Sequence, residues 1–177
     1  MDAKKVLTFF REMNEIPRGS YNEKAVSDWL VAFAKERNFE VRQDKALNVI
    51  IKKPATPGYE DHPAIILQGH MDMVCDKLVD VDFDFHKDAI QTYVDGEWLH
   101  AKGTTLGADN GIAVAFALAL LDSKELPHPA LEVLITSDEE MGMTGAQNLD
   151  TSLLSSKKPK LSFVTPISAS CLVSMFH

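Results

Sequence analysis

Residues 64–72, with the sequence AIILQGHMD, constrain the fold more than any other segment. The apolar run is too short for an exposed helix and is broken by Gln68 and Gly69, which predicts a buried strand. Side chains at positions i and i+2 of an extended backbone point the same way, so His70 and Asp72 should share one pocket at the carboxyl end of this strand. An imidazole beside a carboxylate suits a metal ligand with a neighbour that orients it.

Composition narrows the possible partners and location. The chain has 177 residues, of which 45% are hydrophobic, and this is enough for one domain with a proper core. A formal net charge of −8 argues against a nucleic-acid or anionic-membrane partner. The acidic excess fits either carboxylate metal ligands or a solvated surface. Cys75 and Cys171 lack paired spacing, and no segment resembles a signal peptide or a membrane span, so we expect a cytoplasmic protein.

Hydrophobic periodicity predicts an α/β domain. Two amino-terminal helices are expected, the first ending at Pro17 and the second opened by a capping box of Ser20 and Glu23. We interpret both helices as structural cover. Residues 39–43 and 47–51 are predicted strands of a hairpin or meander, and a buried helix should follow residues 106–111 before a strand at 131–136.

Acidic residues mark two further points where a helix begins or a strand ends. Asp109 lies at the start of the buried helix, where it could simply be an N-cap, and Glu139 with Glu140 follows the next strand. Because sites in open α/β sheets form outside the carboxyl ends of strands, these acids and His70 should converge. Imidazole and carboxylates suit zinc, with manganese or cobalt as alternatives. One carboxylate could bridge two metals, and of the paired glutamates one could bind metal while the other acts as a base.

Three ordered motifs resemble the M20 family of zinc exopeptidases, most closely its aminoacyl-histidine (Xaa-His, carnosinase-like) dipeptidase branch: GHMDMV, GTTLGADNGIAVA and TSDEEMGMTGA. The resemblance implies that His70 and Glu140 each bind one of two zinc ions and that Asp109 bridges them. It also implies that Glu139 is the general base and that the Asp72 carboxylate orients His70. The fold that this family implies is a mixed sheet flanked by helices. The family also implies an inserted lid or dimerisation domain farther along the chain, and hence a possible homodimer.

The resemblance covers roughly residues 1–150, which we interpret as part of an M20 catalytic domain. Residues 151–176 contain no Asp, Glu or His, whereas the family supplies a later acidic ligand and a final histidine. We therefore expect 151–177 to be a divergent tail of a truncated chain that lacks the lid domain, and we do not assign His177 as a substitute ligand.

Zinc-dependent hydrolysis of Xaa-His dipeptides is the activity that the resemblance implies, and this chain should be weakly active or inactive. Two alternatives remain open from the sequence. One is another M20 peptidase, such as a tripeptidase, and the other is a non-catalytic metal-binding or partner-binding remnant.

Overall fold

A computed structural model of the chain describes residues 2–155 and the backbone of residues 160–163. The helices are α1 (Ala3–Asn14), α2 (Lys24–Glu36), α3 (Ala108–Asp122) and a short α4 (Thr144–Gln147), followed by a 3-10 turn at Thr151–Leu153. The strands are β1 (Glu40–Gln43), β2 (Val49–Lys53), β3 (Ile65–His70), β4 (Thr92–Asp95), β5 (Trp98–Ala101), β6 (Leu131–Thr136) and β7 (Lys160–Phe163). Within the described ranges, no helix is long and apolar enough to cross a membrane.

Five of these strands form one mixed sheet in the order β1-β2-β6-β3-β7. The β1–β2 and β2–β6 pairs are antiparallel, whereas β3 is parallel to both β6 and β7. The helix α3 connects β5 to β6. Since β3 and β6 are parallel neighbours, with His70 opposite Thr136, their carboxyl ends lie side by side at one edge of the sheet. The α/β class and the mixed sheet predicted from the sequence are therefore confirmed.

The two faces of the sheet carry different cover. Alternating strand residues such as Ile51, Leu67 and Val133 belong to the main core with the buried faces of α1, α2 and α3. On the opposite face, Ile50, Ile66 and Leu134 pack against three leucines that follow α4, namely Leu149, Leu153 and Leu154. The three long helices thus support the sheet from one side, and the segment after α4 covers the other.

Some local predictions are wrong. The strand β3 continues through Gln68 and Gly69 to His70, because its pairing with β6 holds to that residue. Ser20 does not cap α2: the helix begins at Lys24 with Glu23 at the N-cap, and neither side chain makes a capping hydrogen bond. Most of the predicted tail at 151–177, with Cys171 and His177, lies outside the described residues.

Candidate metal centre

The carboxyl end of β3 places His70 and Asp72 against each other. Both residues are buried, and the Asp72 side chain is 0% exposed. His70 Nδ1 lies 3.3 Å from Asp72 Oδ1 and 3.2 Å from the Asp72 carbonyl oxygen. A proton on Nδ1 would be held by these oxygens, so the lone pair of the neutral ring is left on Nε2. The pairing predicted from the i and i+2 spacing is confirmed.

Asp72 also joins the end of β3 to the segment that follows β6. Its carboxylate accepts hydrogen bonds from the backbone amides of Glu139 (3.0 Å) and Glu140 (3.1 Å) and from the Ser20 hydroxyl (2.8 Å). Burial on its own would raise the pKa of this carboxylate, but hydrogen bonds from His70 and these three donors lower that pKa to about 2. Asp72 is therefore ionised at neutral pH and fixes the backbone of both glutamates.

The Nε2 side of the His70 ring faces the remaining acids. Asp109 Oδ1 lies 3.3 Å from Nε2, and Glu139 Oε2 lies 3.8 Å from it. His70, Glu139 and Glu140 each present one ligand atom within 4.8 Å of the others, as a metal ion would require. Asp109 is the most open of these groups, with a side chain 63% exposed, against 37% for Glu139 and 9% for His70. The site thus opens to solvent on its Asp109 side.

Helix α3 reaches the site through an irregular first turn. Its N-cap, Gly107, has a left-handed backbone with φ +67°. Within the first turn that follows, the backbone angles of Asp109 and Asn110 are not helical. Asp109 is therefore not the N-cap that the sequence left open as an alternative. The irregular backbone directs its carboxylate towards His70 Nε2.

The charges in this pocket favour a cation. Burial on its own would lower the pKa of His70, but the hydrogen bond and charge of Asp72, with the charges of Glu139 and Asp109, raise it. Burial raises the pKa of Glu140, and nearby Glu139 and Asp109 raise it further against the opposing effect of His70. Among the described residues, no Lys or Arg side chain forms an ion pair with Asp109, Glu139 or Glu140.

One imidazole nitrogen among several carboxylate oxygens is a donor set that suits zinc, manganese or cobalt. The residues present therefore fit a divalent metal, with Asp72 holding His70 from behind. The five residues predicted for the site do converge. Their individual roles, with His70, Asp109 and Glu140 as ligands and Glu139 as base, stay predictions.

Three contributors to this region were missed from the sequence. Arg18, Ser20 and Glu23 come from the loop between α1 and α2, which was interpreted as a helix end followed by a capping box. Instead, Ser20 bonds to Asp72, and Glu23 Oε1 accepts a hydrogen bond of 3.1 Å from the backbone amide of Asp138. No local sequence pattern indicated these contacts, because their partners lie 52 and 115 residues away along the chain.

Comparisons with known proteins match the chain to one peptidase family and to related peptidases. Residues 66–172 match the model of peptidase family M20/M25/M40. The chain is 49% identical over 140 residues to the cytosol non-specific dipeptidase of Escherichia coli, an alignment covering 79% of the chain and 29% of that protein. Its fold resembles that of aminoacylhistidine dipeptidase from Vibrio alginolyticus, with TM-score 0.85 and 50% identity over 88% of this chain and 32% of that one.

A tripeptidase from Staphylococcus aureus has the same fold, with TM-score 0.71 and 23% identity over 87% of this chain and 41% of that one. The 177-residue chain thus spans about 30% of the length of the two dipeptidases. The family match runs past residue 150, and the predicted domain boundary at that residue stays a prediction.

Proposed function

The chain belongs to peptidase family M20/M25/M40, and from this premise we propose that it supplies ligands and a general base to a two-metal centre that hydrolyses dipeptides. Xaa-His dipeptides are the proposed substrates. Because the chain spans about 30% of the length of its dipeptidase relatives, the activity of a whole protein is part of this proposal.

The observation that carries the proposal is the two-sided environment of His70. Asp72 lies at Nδ1 (3.3 Å), while Asp109 (3.3 Å) and Glu139 (3.8 Å) lie at Nε2. This arrangement supports metal binding through Nε2, since the carboxylate at Nδ1 fixes the ring and makes the other nitrogen more basic. In this scheme His70, Asp109 and Glu140 hold the metal ions, and zinc is the metal we propose, with cobalt or manganese as substitutes.

When bound, such ions supply Lewis acidity that polarises the peptide carbonyl and lowers the pKa of water. Glu139 is the proposed general base. Its carboxylate is partly exposed, and its backbone amide is fixed by Asp72, so the side chain can accept a proton from water without losing its position. Glu139 would then return this proton to the amine that leaves. Asp72, buried and ionised, takes no proton and serves to orient His70.

Two relatives bear on the substrate. One is named a non-specific dipeptidase and the other an aminoacylhistidine dipeptidase. Both names support dipeptides as substrates, and the second supports histidine at the carboxyl side. The name of the Escherichia coli relative also supports a cytoplasmic location.

Metal titration with matched histidine variants tests the proposal. The chain would be titrated with cobalt(II), whose visible absorption reports ligand binding, and zinc affinity would be measured by competition. We expect His70→Ala to lose most of the binding and His86→Ala, which removes an exposed imidazole near Asp84, to keep it. Equal binding by both variants would refute the proposed centre.

Hydrolysis by the metal-loaded chain then tests the substrate. Xaa-His dipeptides, dipeptides without histidine and tripeptides would be compared by release of free amino acids. Preferential cleavage of Xaa-His dipeptides is the expected result. Preferential cleavage of tripeptides would overturn the dipeptidase assignment.

A further inference from the structure

The α1–α2 loop (residues 15–23) contacts every segment that carries a residue of the proposed metal centre. Next to His70, the Arg18 carbonyl accepts a hydrogen bond of 3.2 Å from the amide of Met73, and Ser20 bonds to Asp72. Beyond β6, the Glu23 carboxylate accepts from the amide of Asp138, which directly precedes the paired glutamates. A loop that joins two helices would need none of these contacts merely to reverse the chain.

The Arg18 side chain spans the distance between the His70 and Asp109 segments. This residue is only 1% exposed. Its Nη1 donates to the carbonyl of Met71, the residue after His70, at 3.1 Å, and its Nη2 donates to the carbonyl of Gly107, two residues before Asp109, at 2.7 Å. Because the guanidinium is planar and rigid, these two bonds fix how far apart the two segments lie.

The fit around Arg18 is close on the Gly107 side. A Cβ atom at Gly107 would collide with Arg18 Nη2 and would lie 2.7 Å from Met73 Sδ, and the backbone there has φ +67°. Asn14 Oδ1 accepts a further bond of 3.1 Å from the same Nη2 and holds the guanidinium to α1. The segment before Asp109 is therefore shaped around the guanidinium.

Burial of the Arg18 guanidinium is unfavourable, since a charge removed from water loses its hydration unless hydrogen-bond or charged partners compensate. Arg18 makes no ion pair among the described residues, and its Nε has no hydrogen-bond partner there. Two of its three hydrogen bonds go to backbone carbonyls at the edge of the site, and the third goes to Asn14 Oδ1 on α1. Its placement is better explained by the positions of those carbonyls than by a gain in stability.

We propose that the α1–α2 loop is a positioning element for the metal centre, with Arg18 setting the separation of His70 and Asp109 and Ser20 holding Asp72. This inference rests on the proposed function, because it assumes that these residues bind metal. Arg18 itself touches neither ligand nor substrate, so it is a positioning residue and not a catalytic one.

Arg18→Lys keeps the positive charge but tests whether the guanidinium geometry matters. A single ammonium group cannot reproduce the two divergent hydrogen bonds from Nη1 and Nη2. The matched control is Arg37→Lys. Arg37 also bonds to a backbone carbonyl (Phe33, 3.2 Å) and to a carboxylate, that of Asp122. Asp122 lies at the far end of α3, about 20 Å from Asp109 at a rise of 1.5 Å per residue.

The primary measurement is the affinity for cobalt(II) and zinc, compared with the free energy of unfolding of each metal-free variant. We expect Arg18→Lys to weaken metal binding by about tenfold or more, as for other groups that position ligands. Arg37→Lys should lower the free energy of unfolding and leave metal affinity unchanged. Wild-type affinity in Arg18→Lys, or an equal loss of affinity in both variants, would overturn the inference.

Amide hydrogen exchange in the metal-free chain separates this inference from the proposed function. Two amides report on the segments that Arg18 joins: Met73 N–H donates to the Arg18 carbonyl, and Thr105 N–H, two residues before Gly107, donates to the Asp76 carbonyl. In Arg18→Lys both amides should exchange faster than in the wild type, while amides in the hydrogen bonds between β2 and β6 keep their rates. If the wild type bound no metal, the proposed function would fail, and unchanged exchange at both amides would separately overturn the positioning role.

Ser20→Ala provides a second test of the positioning role, which can be used if the Arg18→Lys variant does not fold. It removes one partly buried hydrogen bond to Asp72. We expect weaker metal binding and faster exchange of the Glu139 and Glu140 amides, which share Asp72 as acceptor. Unchanged affinity together with unchanged exchange would overturn the inference.

Discussion

Replacing Asp72 by asparagine should reveal how much this buried carboxylate stabilises the metal-free chain. The carboxylate accepts from the Ser20 hydroxyl and from the backbone amides of Glu139 and Glu140, and it lies beside His70 Nδ1. The two backbone amides donate to different oxygens. An asparagine offers one oxygen and one NH₂ group, so one of these amides must face another donor.

The size of the effect follows from the pKa of Asp72. It falls from an ordinary value of 3.8 to about 2, and each pKa unit corresponds to about 1.4 kcal/mol. The folded state thus favours the charged carboxylate by about 2–3 kcal/mol, and one buried donor left unpaired adds about 1–3 kcal/mol. We expect Asp72→Asn to lower the free energy of unfolding at pH 7 by at least about 2 kcal/mol.

The contribution of Asp72 to the free energy of unfolding depends on pH. Because the pKa of Asp72 is lower in the folded state, its stabilisation is complete above the unfolded value of 3.8 and is lost as the pH falls towards about 2. The asparagine does not titrate. The difference between wild type and variant should therefore be largest at neutral pH and shrink by about 2 kcal/mol as the pH falls through this window.

The assay is urea unfolding monitored by circular dichroism, with a chelator present to remove metal. It is repeated from pH 7 down to the lowest pH at which the wild type folds. Asp61→Asn, a substitution of the same kind at an exposed position, is the control and should change little at any pH. A stability of Asp72→Asn equal to that of the wild type at pH 7 would refute the reasoning. A difference that does not narrow in acid would show that charge is not its source.

Three further predictions concern the site and its support. Glu139→Gln should retain most metal binding and reduce any dipeptide hydrolysis by about 10²–10⁴-fold, since an amide accepts no proton; loss of metal as severe as in His70→Ala would contradict this role. Gly145→Ala should lower the free energy of unfolding by about 1–3 kcal/mol in a urea titration, because its Cβ would collide with the Ser137 carbonyl. Since residues 151–176 contain no Asp, Glu or His, zinc should be removed readily from the 177-residue chain by a chelator, and two tightly held ions per chain in elemental analysis would contradict this.

Much of the fold could be predicted because its signals are local. The apolar run of β3 and the fully buried β6 were recognised from composition, and the buried helix α3 from its uninterrupted apolar residues. Errors arose at the ends of elements. The strand β3 passes through Gly69 because pairing with β6 outweighs the weak preference of glycine against strands.

Short-range rules predicted from the sequence that His70 and Asp72, two residues apart, would lie together and that Glu139 would follow its own strand. The proposed roles of these residues come from the motifs that resemble the M20 family. Only the tertiary structure showed which residues contact the segments of the site and hold them in position. The contacts of Arg18 and Ser20 cross 89 and 52 residues of chain and end on a backbone carbonyl and a carboxylate. Polar bonds of this kind leave no periodic pattern in the sequence, because each needs a single donor at one point in space and not a repeated apolar face.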